Sequence, residues 1–201
     1  MTSKLIVNSI RHTGASADAI TMDASGNVTF PANATCSGTA TGFGVEGITM
    51  AQRWVFTSNA SFGSSYAVIT SNLAARSGNF GSIGSSMTQS SGVFTFPSTG
   101  IYKVSFYGVW LDQSAGNDYL GQKIEYSTNS GSNWNEGTVG WVSGETNDYS
   151  SQTVSMFFDV TDVSTHKVRF LAQSQGNGGA FLFGSTNGDL NYFEFLRLGD
   201  T

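Results

Sequence analysis

The chain has 201 residues, 11% of them charged, with 25 glycines and a formal charge of -5. That length holds one large β domain, or an ordinary domain with a short appendage, and not several enzyme domains; the acidic balance offers no positive field for phosphates and argues against a nucleic-acid partner. The single cysteine, Cys36, has no partner for a disulfide and no His or Cys beside it for a metal.

From the N-terminus, Met1-Thr2-Ser3-Lys4 opens no apolar signal-peptide core, and nowhere does an apolar run approach the ~20 residues of a membrane span. The expectation is a protein made in the cytoplasm, without a signal peptide or membrane insertion. Residues 1–42 carry three short strand signals, Leu5-Ile6-Val7, Ile20-Thr21-Met22 and Val28-Thr29-Phe30. Between them lie Gly14-Ala15-Ser16 and Asp23-Ala24-Ser25-Gly26-Asn27, residues that form turns through φ > 0 and Asx-type bonding. Strands this short enclose no core of their own. The segment is therefore read as an attachment piece that pairs with another chain or assembly through Leu5, Ile6, Val7, Ile10, Ile20, Val28 and Phe30. Thr35 to Gly42, small and polar, reads as the linker.

Residues 43–201 read as the main domain. Trp54-Val55-Phe56, Tyr66 to Thr70 and Val93-Phe94-Thr95-Phe96 are aromatic and β-branched runs. In 101–111 the alternation is explicit: Tyr102, Val104, Phe106 and Gly108 share one face, and Ile101, Lys103, Ser105 and Tyr107 the other. The same period recurs in 152–160 and 167–171, while 72–92 shows no helical periodicity. With turns at Pro97 to Gly100, Thr128 to Gly131, Gly176 to Gly179 and Thr186 to Asp189, the pattern predicts eight to ten strands in an all-β sandwich. Immunoglobulin-like, jelly-roll and lectin-type sandwiches all remain open on this pattern.

Catalytic chemistry is thinly represented. His12 and His166 sit in ordinary surface contexts, no serine is framed as a nucleophile elbow, and a catalytic site is not predicted. No cofactor is expected. The acidic loops Asp112 to Asp118 and Asp159 to Asp162 have the residue types of a structural calcium site without the EF-hand order, and solvated turns are the simpler reading. The 117–149 region reads as loops holding Tyr119, Trp134, Asn135, Trp141 and Tyr149 among amides and carboxylates. That mixture suits stacking on a sugar ring or gripping a protein, though the rings can equally cap the sandwich.

The run Phe94-Thr95-Phe96-Pro97-Ser98-Thr99-Gly100-Ile101-Tyr102-Lys103-Val104-Ser105-Phe106 resembles the signature of the C1q/tumour-necrosis-factor superfamily. There an aromatic, a proline turn and Gly-x-Tyr-x-Phe open a core strand. Asn191-Tyr192-Phe193-Glu194-Phe195-Leu196-Arg197-Leu198 is similar to that family's last strand, which lies beside a trimer axis. The resemblance covers about residues 45–200 and implies a ten-stranded jelly-roll β-sandwich that forms a homotrimer. Phe193 and Phe195 are the interface residues it implies, and Tyr107 joins them because its face of the 101–111 strand is too apolar to be fully wet. The Gly- and Ser-rich 72–92 region departs from the family pattern.

The leader, with Ser3-Lys4-Leu5-Ile6-Val7-Asn8-Ser9-Ile10 and then Asp18 to Phe30, is similar to segments of tailed-bacteriophage virion proteins, marine phages especially. The two resemblances together imply a virion surface protein, bound to other capsid or tail proteins and acting as decoration, adaptor or short fibre knob. The alternative is receptor binding to host glycan or protein through 117–149. A glycan-degrading enzyme is the distant third.

Overall fold

The structure, a computed structural model, describes residues 7–30, 47–77, 81–113, 119–175, 179–186 and 188–201. The chain divides into two compact units, Met1–Gly44 and Val45–Thr201. Among the described residues every regular element is a strand, and no helix is long and apolar enough to cross a membrane.

In the first unit β1 (Ser9–Ile10), β2 (Ile20–Met22) and β3 (Val28–Thr29) form an antiparallel sheet in that order. The β2–β3 turn follows from its residues: Asp23 accepts hydrogen bonds from the Ser25 and Asn27 amides, both 2.9 Å, and from the Asn27 side chain at 2.7 Å. Gly26 supplies the left-handed backbone, φ +86°. Of the run Leu5-Ile6-Val7, Leu5 and Ile6 lie outside the described residues and Val7 is not in a strand. The first described strand is instead Ser9–Ile10, whose register is fixed by Ser9 opposite Thr21 and Ile10 opposite Ile20. Ile10, Val28 and Phe30 are exposed, as expected of a sheet too small to cover its apolar side chains. The Thr35 to Gly42 linker lies outside the described residues.

The second unit is an antiparallel jelly-roll sandwich. Its strands are β4 (Met50–Phe56), β5 (Ala60–Ser61), β6 (Ala67–Val68), β7 (Leu73–Ala75), β8 (Thr88–Ser90), β9 (Val93–Thr95), β10 (Gly100–Asp112), β11 (Tyr119–Ser127), β12 (Asn135–Ser143), β13 (Asp148–Val160), β14 (Lys167–Gln175), β15 (Ala180–Leu182) and β16 (Tyr192–Gly199). One sheet runs β5-β15-β10-β16-β4-β7, with β13 along the other side of β10; the second runs β12-β11-β14-β9-β8, with β6 also on β14. These sheets hold seven and six strands, more than the eight to ten predicted. The excess comes from pieces of two or three residues such as β5, β7 and β8, too short to leave a periodic trace in the sequence.

The 101–111 alternation predicts the register correctly. Tyr102, Val104, Phe106 and Trp110 are fully buried between the sheets. At the strand's start the Tyr102 hydroxyl donates to the Ser98 carbonyl at 3.0 Å, so its ring is buried while its polar end is satisfied at the rim. Gly100 has φ +140°, and a Cβ there would lie 2.6 Å from the Gly199 carbonyl oxygen, so glycine is required on both counts.

The core is a cluster of aromatic rings contributed by both sheets. Phe170 of β14 stacks on Phe193 of β16 with ring centres 3.7 Å apart and 4° between planes. Phe193 also packs against Phe106 at 4.9 Å, Phe56 at 5.5 Å and Phe94 at 5.7 Å. Phe195 lies 5.2 Å from Phe94. The expectation that Phe193 and Phe195 face a partner chain is thus overturned. Both rings are fully buried within the chain, and their strand turns Tyr192, Glu194 and Leu196 outward instead.

A second correction concerns 117–149. Far from being loops alone, the region holds all of β11 and β12 and the start of β13. Its inward positions, Leu120, Gln122, Ile124 and Tyr126, alternate normally, but the polar Gln122 and the glycines of β12 weaken the hydrophobic signal.

Candidate functional site

Cross-strand register specifies what each outer surface of the sandwich displays. On the first sheet, one row reads Phe157, Lys103, Leu196 and Ala51, with Ile83 bridged to Ala51. The next reads Ser155, Ser105, Glu194 and Arg53, and the third Thr153, Tyr107, Tyr192 and Val55, with Ser105 and Val55 covered by their neighbours. Phe157 is 71% exposed at one end of the first row, Ile83 is exposed at its other end, and Ile101 and Leu198 are exposed as well. A groove of about 440 Å³ opens beside Ala51, Ile83 and Leu196.

The remainder of that surface is rigid and polar. Tyr107 stacks on Tyr192 at 5.1 Å, and the Arg53 guanidinium lies 4.3 Å from the centre of the Tyr192 ring. Arg53 pairs with Glu194 at 2.8 Å and with Asp189 at 3.4 Å, and Asp189 in turn holds Arg76 at 2.6 Å. Burial, which opposes ionisation of the guanidinium, is outweighed by Glu194 and Asp189, so Arg53 is raised above its ordinary value. Tyr107 therefore sits on the outward surface assigned to it from the sequence, half-buried by its neighbour.

On the second sheet Tyr119, Gly121, Lys123 and Glu125 of β11 point outward, between Trp141, Val139 and Glu136 of β12 and Gln175, Gln173, Leu171 and Arg169 of β14. Glu125 accepts from Arg169 at 2.7 Å and from Lys123 at 2.9 Å, and Lys123 also approaches Glu136 at 3.7 Å. At one end Arg169 lies 4.2 Å from the Trp134 ring centre; at the other Lys123 lies 4.7 Å over the Tyr66 ring. Gly121 lets Tyr66 close down on the sheet, since a Cβ there would lie 2.6 Å from its hydroxyl oxygen. Burial, with Glu136 and Tyr119 adding to it, pushes that hydroxyl up to about 12. Trp141 stands at this end, 57% exposed.

Burial alone would raise the Glu125 pKa, but Lys123 and Arg169 overcome it and hold the carboxyl below the usual carboxylate range. A depressed folded-state pKa gives stability that is present above the unfolded value and lost as pH falls through the folded one. Thermal melts should accordingly show Glu125→Gln less stable than the wild type at pH 7, with the two converging as pH drops below about 4. A gap that stays constant over this range would remove Glu125 as its source.

Of the ring-bearing residues chosen from sequence, Tyr119, Trp134 and Trp141 share this second-sheet surface. Tyr149 does not: it belongs to the first sheet, 64% exposed, stacked on Phe183 at 5.5 Å. Asn135 pairs with Tyr126 and takes that residue's side of the sheet. Sequence reasoning missed Tyr66, Lys123, Glu125 and Arg169. The signal that identifies three of them is period-2 alternation of charge, Lys123 and Glu125 on one strand and Lys167 and Arg169 on another.

Neither histidine is placed for catalysis. His12 accepts the Gly14 amide at 3.2 Å, and His166 packs 5.6 Å from Phe158 beside two threonine hydroxyls. Asp162 accepts from the Ser164 amide and hydroxyl at 2.8 and 2.7 Å, a closed side-chain turn. Among the described residues no group of three or more His, Cys, Asp or Glu is arranged to hold a metal.

No protein-family model matches the sequence, and no curated protein matches it. Solved structures share its fold. Murine APRIL at pH 5.0 aligns with TM-score 0.54 and 13% identity, over 74% of this chain and 98% of that one. Eiger TNF from S. frugiperda aligns with TM-score 0.58 and 12% identity, over 77% and 95%. The PRD1 vertex protein P5 aligns with TM-score 0.51 and 13% identity, over 77% and 100%. At these identities the likeness shows the fold alone, the antiparallel jelly-roll sandwich that these three structures share.

Proposed function

We propose that the chain is a non-enzymatic virion structural protein that docks through its N-terminal unit and displays a homotrimeric jelly-roll head on the particle surface. The observation that carries this reading is the contrast between the two units. One is a three-stranded sheet whose Ile10, Val28 and Phe30 lie uncovered; the other has a complete aromatic core of its own. An incomplete sheet gains from pairing with another chain, as an attachment segment does. The likeness of the head to the PRD1 vertex protein P5 supports a projecting position, and Phe157, Ile101, Leu198 and Ile83 support burial of the first sheet's outer surface against symmetry mates.

Sedimentation equilibrium tests the assembly: the full chain should run at three times 21.3 kDa, and Phe157→Asp should run as a folded monomer. In a density gradient, full-length protein should band with virions and residues 43–201 should not. A monomeric wild type refutes the trimer, and truncated protein banding with particles moves the attachment to the head. A second reading, receptor binding by the head, is favoured by the open Trp141 ring on the opposite sheet.

A further inference from the structure

We propose that the outer surface of the second sheet, between Trp141 and Trp134, binds a neutral oligosaccharide. This rests on the receptor-binding reading and narrows its ligand to one chemical class. Trp141 contributes nothing to the core; its indole lies open on a sheet surface, beside Tyr119 of the neighbouring strand, while the Tyr66 hydroxyl is buried against Gly121. A flat aromatic ring next to fixed hydrogen-bonding groups matches a sugar, whose C–H face stacks on the ring while its hydroxyls reach sideways.

The charges decide which sugar. Lys123, Arg169 and Lys167 are the cations of this surface; the first two are held by Glu125, with Glu136 also near Lys123, and Lys167 donates to the Val163 carbonyl at 2.8 Å. Lys123 and Glu125 are largely covered, so the network is rigid before any ligand arrives. An anionic glycan or phosphate would find Lys123 and Arg169, the cations between the two tryptophans, already paired with carboxylates, and binding it there would require breaking those pairs. A neutral polyhydroxylated ligand leaves them intact. Glu136, whose side chain is 57% exposed, remains able to accept from sugar hydroxyls.

Trp134 immediately precedes β12 and Trp141 lies within it, seven residues on, which at the rise of a strand is about 23 Å. Several consecutive sugar units fit that span. Trp134 already has Arg169 on one face, so the Trp141 end carries most of the recognition. A protein partner is the weaker match, since this surface offers one open ring among charges and not a contiguous apolar patch.

The test is isothermal titration of the full-length protein with chitohexaose, maltohexaose, laminarihexaose and mannohexaose, with hexagalacturonate as the anionic counterpart. At least one neutral hexamer should bind in the ~0.1–1 mM range, with Trp141→Ala weakening it at least ~30-fold. Phe157→Asp, on the opposite sheet, should leave the per-chain affinity unchanged even if it abolishes the trimer. Silence from every neutral hexamer at ~1 mM, preferential binding of hexagalacturonate, or unchanged affinity in Trp141→Ala each overturns the inference. Adsorption of fluorescent protein to host cells separates this from the parent reading: if adsorption depends on Trp141 while no neutral hexamer binds, receptor binding stands and its neutral-glycan form falls. If adsorption is absent as well, both fall.

Discussion

Phe193→Ala should destabilise the protein by about 3–5 kcal/mol, because it removes a ring from the centre of a core that relaxes poorly around the hole. Phe193 is in contact with Phe170, Phe106, Phe56 and Phe94, two of them from the sheet opposite its own. No single neighbour can swing in to fill the space without leaving another contact. Against a typical total stability of about 5–15 kcal/mol, the melting temperature should fall sharply or folding should fail at 37 °C. Phe193→Leu, which retains much of the volume, should recover a substantial part of the loss. Denaturant melts beside sedimentation masses distinguish a core ring from an interface ring. A variant that keeps its wild-type melt and dissociates into monomers would return Phe193 to the interface; a lower melt at unchanged mass fixes it in the core.

The second large effect is expected at Asn191, a buried side chain at a fork in the first sheet. Strand β10 pairs with β16 through Tyr107 and with β15 from Trp110 on, so Val109 sits between two ladders. The Asn191 amide fills the gap. Its oxygen accepts from the Val109 amide at 2.6 Å, and its nitrogen donates to the Val109 and Phe183 carbonyls at 3.1 and 2.6 Å. Asn191→Ala removes all three bonds within a buried region, for a loss of about 2–4 kcal/mol at roughly 1 kcal/mol per bond. Asn191→Asp keeps the acceptor, loses the donor and places a carboxylate against two carbonyls, so it should rescue nothing at neutral pH. Chemical denaturation of the three proteins measures this, and an Asp variant as stable as wild type would show that the donated bonds contribute little.

The two substitutions also mark how far the sequence alone reaches. Phe193 is visibly apolar and in a strand, but 192–196 carries large side chains on both sides, Tyr192 and Leu196 on one and Phe193 and Phe195 on the other. Period-2 alternation then separates two surfaces without saying which is inside. Asn191 stands just before that strand as an unremarkable amide. Its importance exists only because β15 and β16 both end on the same neighbour, a relation between segments far apart in the chain.

What the sequence by itself determined was the all-β class and the register of 101–111. Each depends on residues within about ten positions of one another, where turn chemistry and alternation act directly. The tertiary structure decided the rest. It turned 117–149 from loops into mostly paired strands, because Gln122 and the β12 glycines weaken a local pattern that the pairing of β11 with β12 and β14 restores. It brought Tyr119, Trp134 and Trp141 to one surface and left Tyr149 on the other sheet. It assembled the Lys123, Glu125 and Arg169 ladder from two strands whose paired residues are 44 positions apart. The physical reason is common to all three: a sheet makes neighbours by hydrogen-bonded register between distant segments, and a surface built across strands has no representation along any one of them.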